Sequence, residues 1–279
     1  MTAGPTTAAD ARRQAGHTAI VTGANHGIGA ATAVALAAND CAVLCAFWRV
    51  RDAVDPGIPQ AYRDRRAGGA DAVVDEIVAA GGRALAVEAD LADSRTPAAL
   101  FDRAERDLGP VDILVNNATG WLADTFAAQT GDRLGRLLQP VTADSWRQQF
   151  GVDAMAPALL IAEFARRHVA RDANWGRIIG LTSGGRLGFP EEVSYGAAKA
   201  AEENYTMSAA LELGRYGITA NMLHPPVTDT GWVTDAVLDA VADDPEMMHV
   251  ATPAQVAEVI GYLASDAAAL ITGNVITMR

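Results

Sequence analysis

The sequence contains almost no lysine. Lys199 is the only one, and every other cationic side chain apart from histidine is an arginine. Cysteine is scarce too: Cys41 and Cys45 would lie about 13 Å apart on one strand, which is too far for a disulfide. The five histidines show no ligand spacing with each other or with the cysteines, so we predict no metal site. Two unpaired thiols fit a reducing compartment, and we expect a cytoplasmic protein.

Positive charge and long apolar runs are also missing. A net charge of −12 and a pI near 4.8 argue against binding to nucleic acid or to an anionic membrane. No apolar run is long enough to span a bilayer. Residues 1–16 are small and polar without the apolar segment of a secretory signal. We therefore predict a flexible tail over 1–16 and a single domain over 17–279.

Short aliphatic runs alternate with alanine-rich stretches of helical period. This alternation predicts an α/β fold, a Rossmann-type, doubly wound parallel sheet of seven strands flanked by helices. Helices are expected over about 70–80, 143–170 with a kink at Pro157, 195–215 and 255–264. Residues 50–69 and 119–142 are expected to be loops, and 224–250 a loop at the substrate. The predicted strands are 18–22, 42–47, 84–87, 111–115, 176–183, 218–223 and 271–277.

A glycine-rich segment separates the first strand from the first helix. Its spacing is G-x-x-x-G-x-G, and the order of strand, glycine turn and helix is typical of a dinucleotide-binding site. Glycine lets the backbone approach a pyrophosphate, and the helix N-terminus supplies amides and a favourable dipole. The candidate cofactor-binding residues of this turn are Gly23, Asn25, His26, Gly27, Ile28 and Gly29.

The residues after the second strand indicate which dinucleotide binds. NAD-binding folds commonly place a carboxylate there for the ribose hydroxyls, whereas a cation suits the 2′-phosphate of NADP. This sequence has Arg49 in that region and His26 in the glycine turn, so NADP is favoured over NAD. Asp90 and Leu91 follow the third strand, where they are expected to contact the adenine, although Asp90 is equally suited to cap the next helix.

Polar residues also follow the fourth and fifth strands. Asn117 and Ala118 end the fourth strand and are expected to form the floor of a nicotinamide site. Ser183 ends the fifth strand and precedes Tyr195 by twelve residues. Tyr195 and Lys199 lie four apart, so a helix would place the ammonium beside the phenol. A neighbouring positive charge lowers a phenol pKa, which suits proton exchange with a substrate oxygen.

Together these motifs resemble the short-chain dehydrogenase/reductase family over roughly residues 18–278, most closely its 3-oxoacyl carrier-protein reductase type. The resemblance implies hydride transfer between a nicotinamide and a carbonyl or secondary alcohol. Tyr195 would donate the proton, Ser183 would hydrogen-bond the oxygen, and Lys199 would hold the nicotinamide ribose. It also places Thr230 at the cofactor and implies a small-molecule substrate and a homotetramer or dimer, built partly from the helices at 143–170 and 195–215.

The sequence departs from the family pattern at several positions. Asp153 stands where an asparagine commonly holds a water of the proton relay, and a carboxylate is also able to hold one. The distance from serine to tyrosine is one residue short, so counting back from the tyrosine selects Thr182, while counting forward along the strand selects Ser183, which we prefer. Pro226 and Thr119 each replace a usual glycine. These changes concern the substrate more than the fold.

Three functions fit the sequence. The leading one is an NADP-dependent carbonyl reductase acting on a small to medium, partly apolar ketone. The second is an NAD-dependent alcohol dehydrogenase working in the oxidative direction. The third is a cofactor-binding regulatory module with little catalysis, although a decayed site has no reason to keep the chain's single lysine four residues after this tyrosine.

Overall fold

The computed structural model describes residues 14–185 and 187–279. Gln14, which belongs to the predicted tail, is buried; its backbone N–H donates to the carbonyl of Asn39 and its side-chain amide donates to the carbonyl of Gly261. This end of the predicted tail therefore packs on the folded chain, and the remainder of the tail, residues 1–13, lies outside the described residues.

A parallel sheet forms the centre of the molecule. Seven strands join it, and two short ones pair separately. The predicted strands are confirmed, although the last one, expected over 271–277, has only three residues. In chain order the strands are β1 Thr18–Thr22, β2 Ala42–Phe47, β3 Arg83–Glu88, β4 Val111–Asn116, β5 Asp124–Thr125, β6 Gln139–Pro140, β7 Gly176–Leu181, β8 Ile218–His224 and β9 Val275–Thr277.

Both faces of the sheet are covered by helices. In chain order the helices are α1 Gly27–Ala37, α2 Gln60–Ala67, α3 Asp71–Ala79, α4 Thr96–Asp107, α5 Ala143–Phe150, α6 Ala156–Ala170, α7 Val193–Leu213, α8 Asp235–Ala242 and α9 Pro253–Leu263. Helices α1, α3 and α9 pack on one face, and α4, α6 and α7 pack on the other. No helix in the described part of the chain is long and apolar enough to cross a membrane.

The strand sequences explain why both faces are covered. Every residue of β1 and β2 is buried. Successive side chains point to opposite faces of a strand, so Ala19 and Val21 of β1 join one core while Ile20 joins the other. A run that is apolar at every position therefore suits a central parallel strand with helices on both sides.

The predicted loops contain helices that the sequence analysis missed. Residues 50–69 were expected to be irregular because they are rich in proline, glycine and arginine, but α2 occupies 60–67. Residues 224–250 include α8, whose Val237 and Val241 are buried. The loop over 119–142 is confirmed, apart from β5 and β6, which pair in parallel. Each missed helix has only eight residues, too short for a clear periodic pattern.

The predicted kink at Pro157 is instead a change of helix type. Residues Gly151–Met155 form a π-helical turn between α5 and α6. Proline has no N–H to donate to the preceding turn, so a regular helical hydrogen bond is missing at this point. Asp153, one of the predicted catalytic residues, lies within this wider turn and is fully buried.

The strand order β3-β2-β1-β4-β7-β8-β9 reverses direction between β1 and β4. In open parallel sheets, ligands bind outside the carboxyl ends of the strands at such a switch point. The glycine turn after β1 and the asparagines at the end of β4 both lie at this point. The molecule is a single Rossmann-type domain with its ligand crevice at this edge.

Candidate active site

The glycine turn brings the ends of β1 and β4 into direct contact. Gly23 has a φ of +66°, and a Cβ atom on it would lie 2.9 Å from both the Cα of Ala118 and the Nδ2 of Asn117. A Cβ atom on Gly29 would collide with the carbonyl oxygen of Gly23. Only glycine fits at both positions, because backbone and amide groups that cannot move aside occupy the space.

The N-terminus of α1 is available to an anion. His26 is its N-cap residue and makes no side-chain capping bond, and the first turn holds no acidic residue. Free amides and the helix dipole at such a terminus attract phosphate. Burial lowers the pKa of His26 below its usual value, with the charges of Arg66 and Arg65 acting in the same direction. The ring is therefore neutral near pH 7 and is able to donate one N–H.

Thr230, which the resemblance places at the cofactor, lies beside the glycine turn. Gly27 has a φ of +57°, and a Cβ atom on it would lie 2.7 Å from the Cγ2 of Thr230. Ile28 and His26 line the same cleft as Thr230. The segment after β8 is thus brought against the start of α1, as a shared binding site requires.

Asn117 fixes the floor of the cleft. Its side-chain amide donates to the carbonyl of Thr22 at 2.8 Å and to that of Gly23 at 3.2 Å. The hydroxyl of Thr22 accepts from the backbone N–H of Asn117 and of Ala118, both at 3.0 Å. These bonds join β1 to β4 where the two strands end, and Asn117 and Ala118 line the cleft.

Asp90 and Leu91 also line the cleft, at the end of β3. The Asp90 carboxylate accepts the backbone N–H of Ala92 at 2.9 Å, which closes a local turn. The next helix, α4, begins at Thr96 with Arg95 at its N-cap and no side-chain capping bond. Asp90 therefore stabilises the turn rather than capping the helix, which was the alternative role.

Arg49 does not line the cleft in this structure. Its guanidinium pairs with Glu88 and lies over the ring of Phe47, 5.1 Å from the centroid. Phe47 of β2 is the register partner of Glu88 on β3, so the end of β3 presents the carboxylate to Arg49. The predicted cation is thus held beside the cleft, at the ends of β2 and β3, instead of inside it.

Helix α2 supplies aromatic and basic residues that the sequence analysis missed. Tyr62 lies 5.7 Å from the His26 ring, centroid to centroid, and Arg66 is nearly buried with its Nε 3.0 Å from Asp52. Both line the cleft. Asn25 holds the helix in place, because its amide donates to the carbonyl of Gly68 at 3.0 Å. An arginine-rich segment ten to twenty residues after β2 was the available signal for these residues.

Tyr195 and Ser183 meet on the other side of the cleft. Tyr195 lies in the first turn of α7, and the Phe189 ring packs 5.9 Å from it, centroid to centroid. Ser183 and Tyr195 both line the cleft, and the Ser183 side chain acts to lower the pKa of the phenol. Thr182, the alternative, is buried, and its backbone N–H donates to the carbonyl of Leu223. The geometry therefore brings Ser183 to the phenol, the residue that counting along the strand selected.

Lys199 lies one helical turn beyond Tyr195, between two carboxylates. Its Nζ donates to Oε2 of Glu202 at 2.8 Å and lies 3.2 Å from Oδ1 of Asp153. The other oxygen of Asp153 accepts from the backbone N–H of Gly120 at 2.8 Å and from the amide of Gln149 at 2.7 Å. Glu202 is the third member of this cluster and was not predicted, although its i, i+3 spacing from Lys199 was visible in the sequence.

Burial and the carboxylates together set the protonation of this group. Burial raises the pKa of Tyr195 above its usual range; Lys199 acts to lower it, but Asp153 and Glu192 oppose Lys199. The net direction is opposite to the lowering that the sequence analysis expected. Burial lowers the pKa of Lys199, but Glu202 and Asp153 outweigh it and hold that pKa above its usual value. Tyr195 is therefore protonated and Lys199 charged at neutral pH.

The far end of the cleft is walled by a buried ion pair. Arg136 lies 2.5 Å from Asp132 and 2.7 Å from Glu192, and its guanidinium is 5.4 Å from the centroid of the Trp121 ring. Trp121, Arg136 and Glu192 all line the cleft. The sequence identified Trp121 as a candidate for the pocket wall, but Arg136 and Glu192 meet only in the folded chain.

Two loop segments meet above this end. The backbone N–H of Leu137 donates to Asp55 at 3.0 Å, and a Cβ atom on Gly57 would lie 2.6 Å from the carbonyl oxygen of Gly135. The segment after β2 therefore packs directly on the segment after β4. Residues of both segments line the cleft, as do Trp232, Val237 and Met247 of the 224–250 segment.

The cleft formed in this way has a volume of about 910 Å³. It runs from the glycine turn past Tyr195 and Lys199 to the apolar residues of the 224–250 segment. Within residues 14–185 and 187–279, no group of three or more histidine, cysteine, aspartate or glutamate side chains is arranged to hold a metal ion. Cys41 and Cys45 are both free and buried, so the expected absence of a disulfide is confirmed for this pair.

The fold and the site together define a nucleotide-dependent oxidoreductase. A family profile described as enoyl-(acyl carrier protein) reductase matches residues 23–278. The chain is 34% identical to cis-4-hydroxycyclohexanecarboxylate dehydrogenase of Sinomonas cyclohexanicum, covering 93% of this chain and 94% of that one. It is 33% identical to 3-oxoacyl-[acyl-carrier-protein] reductase of Synechocystis, covering 92% of each chain.

A solved structure agrees with these relatives. The 3-oxoacyl (acyl-carrier-protein) reductase of Agrobacterium tumefaciens, with NADP bound, superimposes with a TM-score of 0.75 at 28% identity, covering 98% of this chain and 96% of that one. The chain belongs to the short-chain dehydrogenase/reductase family, and it is an NAD(P)-dependent oxidoreductase of that family.

The residues present fit a nicotinamide dinucleotide. The glycine turn admits no side chain at Gly23 or Gly29, so its bare backbone lies at the cleft, and the N-terminus of α1 lies beside it without an acidic side chain. Thr230, Asn117 and Lys199 line the same cleft. The glycine turn would hold the pyrophosphate, Asn117 would form the floor of the nicotinamide site and Lys199 would hold the nicotinamide ribose, while the family resemblance places Thr230 at the cofactor.

Proposed function

We propose that the protein is an NADP-dependent ketoreductase. The observation that carries this proposal is the meeting of Tyr195, Ser183 and Lys199 at one wall of the cleft that begins at the glycine turn. A protonated phenol with a hydroxyl beside it is the arrangement that a carbonyl oxygen needs when it gains a proton.

Each of the three residues has a distinct task in this reaction. The bound nicotinamide supplies the hydride. Tyr195 donates its proton to the carbonyl oxygen, and Ser183 hydrogen-bonds the same oxygen and holds it in reach. Lys199 holds the ribose and places positive charge near the phenol, which stabilises the phenolate left after the proton has moved. Asp153 fixes Lys199 from the opposite side.

NADP is the proposed cofactor because arginine side chains lie at and beside the cleft where a carboxylate would favour NAD. No carboxylate follows directly after β2, where the sequence is Trp48-Arg49. Arg66 lines the cleft, and Arg49 lies beside it against Glu88. His26 also lines the cleft, where its neutral ring offers one N–H. Arginine forks are suited to a 2′-phosphate. The NADP-bound relative from Agrobacterium supports the same choice.

The substrate we propose is a small to medium, partly apolar ketone. The walls beyond Tyr195 are formed by Trp121, Phe189, Trp232, Val237 and Met247. Arg136, which lines the same cleft, is already paired with Asp132 and Glu192. An apolar body with a single carbonyl group matches such a pocket.

We also propose a homotetramer or dimer, located in the cytoplasm. The family resemblance assigns the subunit contacts to α5, α6 and α7. Trp146 of α5 and Tyr205 and Leu211 of α7 carry large apolar side chains that are exposed in the single chain. Exposed apolar side chains on neighbouring helices are typical of a surface that another subunit covers.

Two alternatives are tested by the same experiment. The first is an NAD-dependent alcohol dehydrogenase, whose oxidative direction is favoured by the relative from Sinomonas, named cis-4-hydroxycyclohexanecarboxylate dehydrogenase. A cofactor-binding module with little catalysis is favoured by Asp153 and Pro226, which depart from the family pattern. The alcohol dehydrogenase differs from our proposal in its cofactor and in the direction of hydride transfer. The binding module differs in having no turnover.

The deciding experiment measures NADPH and NADH consumption with a panel of ketones and β-ketoesters, for the native protein and for Tyr195→Phe. We expect turnover with NADPH and a loss of about 100- to 10,000-fold in Tyr195→Phe, because the general acid is removed. Tyr205→Phe, on the exposed face of the same helix, is the control and should be fully active. Tight NADPH binding without turnover by any of the three proteins would favour the binding module.

A further inference from the structure

The single lysine of the chain is enclosed by two buried carboxylates. Lys199 is 2% exposed, and Asp153 and Glu202 are both fully buried. A buried ammonium is stable only when charged or polar partners replace its water. One carboxylate would neutralise the charge of the ammonium, so the presence of two carboxylates requires an explanation.

The hydrogen bonds of the ammonium suggest that explanation. A lysine ammonium donates three hydrogen bonds. Glu202 accepts one at 2.8 Å. Oδ1 of Asp153, 3.2 Å away, has no other hydrogen-bond partner in the described chain and is the natural acceptor for the second. One N–H remains, and the cleft that Lys199 lines is the open direction for it.

The Glu202 carboxylate lies against Gly180 of β7, where a larger residue would not fit. A Cβ atom on Gly180 of β7 would lie 3.1 Å from Oε1 of Glu202 and would collide with the sulfur of Met222. Oε1 itself is buried and has no hydrogen-bond partner among the described residues. A carboxylate with one unsatisfied oxygen costs stability compared with an apolar side chain of similar size. The contact of Glu202 with Lys199 gives a reason for placing a carboxylate here that packing alone does not give.

Several charged and polar groups face Lys199 and Tyr195. Lys199 faces Glu202 and Tyr195 on α7 and Asp153 on the π-helical turn. Tyr195 in turn faces Glu192 at the start of α7 and the hydroxyl of Ser183 after β7. Glu202 does not line the cleft, so it is able to influence the reacting groups only through Lys199.

We propose that Glu202 is a positioning residue for Lys199: with Asp153 it fixes the ammonium in its charged form and leaves one N–H for the nicotinamide ribose. The contacts of Lys199 with Glu202 and Asp153 support the role of Glu202 in fixing the ammonium. The role of the remaining N–H at the ribose rests on the function proposed above.

The single lysine makes this inference directly measurable. Protein labelled only at lysine, in the ε-carbon and the ζ-nitrogen, gives one NMR signal from Lys199, without cofactor or substrate. Three variants separate the contributions of Glu202. Glu202→Gln keeps an acceptor oxygen and removes the charge, Glu202→Leu removes both, and Glu212→Gln alters an exposed carboxylate on the same helix as the control.

In the native protein we expect Lys199 to stay charged throughout the folded range of pH, with ammonium protons that exchange slowly with water. Glu202→Gln should lower the pKa of Lys199 by about one unit, because Glu202 is ionised at the alkaline pH where a lysine titrates and the variant removes that charge. Glu202→Leu should lower it further and make the ammonium protons exchange faster. If both variants give the titration and exchange of the native protein, the proposal is wrong, whatever the activity.

Steady-state kinetics test whether the remaining N–H of Lys199 holds the nicotinamide ribose. With a ketone that the native enzyme reduces, Glu202→Leu should lower kcat by about tenfold and raise the KM for NADPH, because a loosened lysine holds the ribose less well. The KM for the ketone should not change, and Glu202→Gln should recover most of kcat. Equal kcat in Glu202→Leu and the native enzyme would show that Glu202 does not position Lys199 for the ribose. Absence of turnover in the native protein would count against the proposed function instead, leaving the NMR result in force.

Discussion

Asp124 accepts hydrogen bonds from both the backbone N–H and the hydroxyl of Ser194, the residue directly before Tyr195. The distances are 2.8 Å and 2.5 Å, and the hydroxyl of Ser145 donates to the same carboxylate at 3.0 Å. All three side chains are buried. A two-residue strand in the loop after β4 thereby fixes the start of α7, and with it the position of the phenol.

We expect Asp124→Ala to destabilise the protein by about 3 kcal/mol, since it leaves buried donors without an acceptor. The kcat should also fall, because the first turn of α7 is released while the reacting groups are unchanged. Chemical unfolding and steady-state kinetics measure the two effects. Asp144→Ala is the matched control: that carboxylate is 93% exposed, its pair with Arg147 lies at the surface, and its removal should cost no more than about 0.5 kcal/mol.

A loss of activity without a loss of stability in Asp124→Ala would contradict the anchoring role. It would indicate that the carboxylate acts on the reaction by a route other than the placement of α7.

The buried carboxylate of Glu202 should also appear in the pH dependence of stability. Burial raises its pKa from the usual 4.5 to about 7, although Lys199 acts to lower it. A raised pKa means that the native state binds the proton more tightly than the unfolded chain does. Its contribution is therefore complete below pH 4.5 and is lost as the pH rises through about 7.

The comparison that isolates this effect is the free energy of unfolding of native protein minus that of Glu202→Gln. We expect this difference to fall by an amount on the order of 2 kcal/mol between pH 4.5 and pH 7. Urea unfolding at intervals across that range measures it. A difference that is constant or rises with pH would mean that the carboxylate is ionised throughout, with its charge fully compensated by Lys199.

Local pattern explains why much of the fold was predictable. The strands are short runs of aliphatic residues, and the glycine turn is a fixed spacing at a strand-to-helix junction, so neither depends on distant residues. Tyr195 and Lys199 are four residues apart on one helix, which made their pairing predictable as well. These features share one property: every residue needed to recognise them is close in sequence.

The missing parts depend on contacts between distant residues. Arg49 pairs with Glu88 because of the register of β2 and β3, and that register is not visible in either segment alone. Asp124 and Ser194 are seventy residues apart. The direction of the Tyr195 pKa also depends on burial, which raises that pKa and outweighs the lowering by its helical neighbour Lys199. In each case the chemistry of the side chain was known, but its partner was set by the fold.

The selection of NADP should depend on Arg66 more than on Arg49. Arg66 lines the cleft near His26 and is held by Asp52, whereas Arg49 lies outside the cleft against Glu88. We expect Arg66→Gln to lower the preference for NADPH over NADH by about 10- to 100-fold, the loss of one charge-assisted hydrogen bond. Arg49→Gln should change the preference by less than about threefold, because its pair is at the surface.

The ratio of kcat/KM for the two cofactors measures this preference independently of the amount of folded protein. The reverse order, with Arg49→Gln the more damaging, would show that Arg49 leaves Glu88 when the cofactor binds. Equal ratios in both variants and in the native protein would place the selection on His26 or on the backbone of the glycine turn.

The glycine turn should tolerate no added side chain at Gly29. A Cβ atom there would collide with the carbonyl oxygen of Gly23 and lie 2.5 Å from the Nδ2 of Asn117. Gly29→Ala must therefore displace the turn or break the bonds that Asn117 makes to β1, and we expect NADPH affinity to fall at least about 100-fold. Gly261→Ala, in the last turn of α9 with open space around it, is the control. It should leave binding unchanged and raise stability by about 0.5–1 kcal/mol, because alanine loses less backbone entropy than glycine in a helix. Fluorescence titration with NADPH measures the affinity, and unchanged binding by Gly29→Ala would mean that the nucleotide does not occupy this turn.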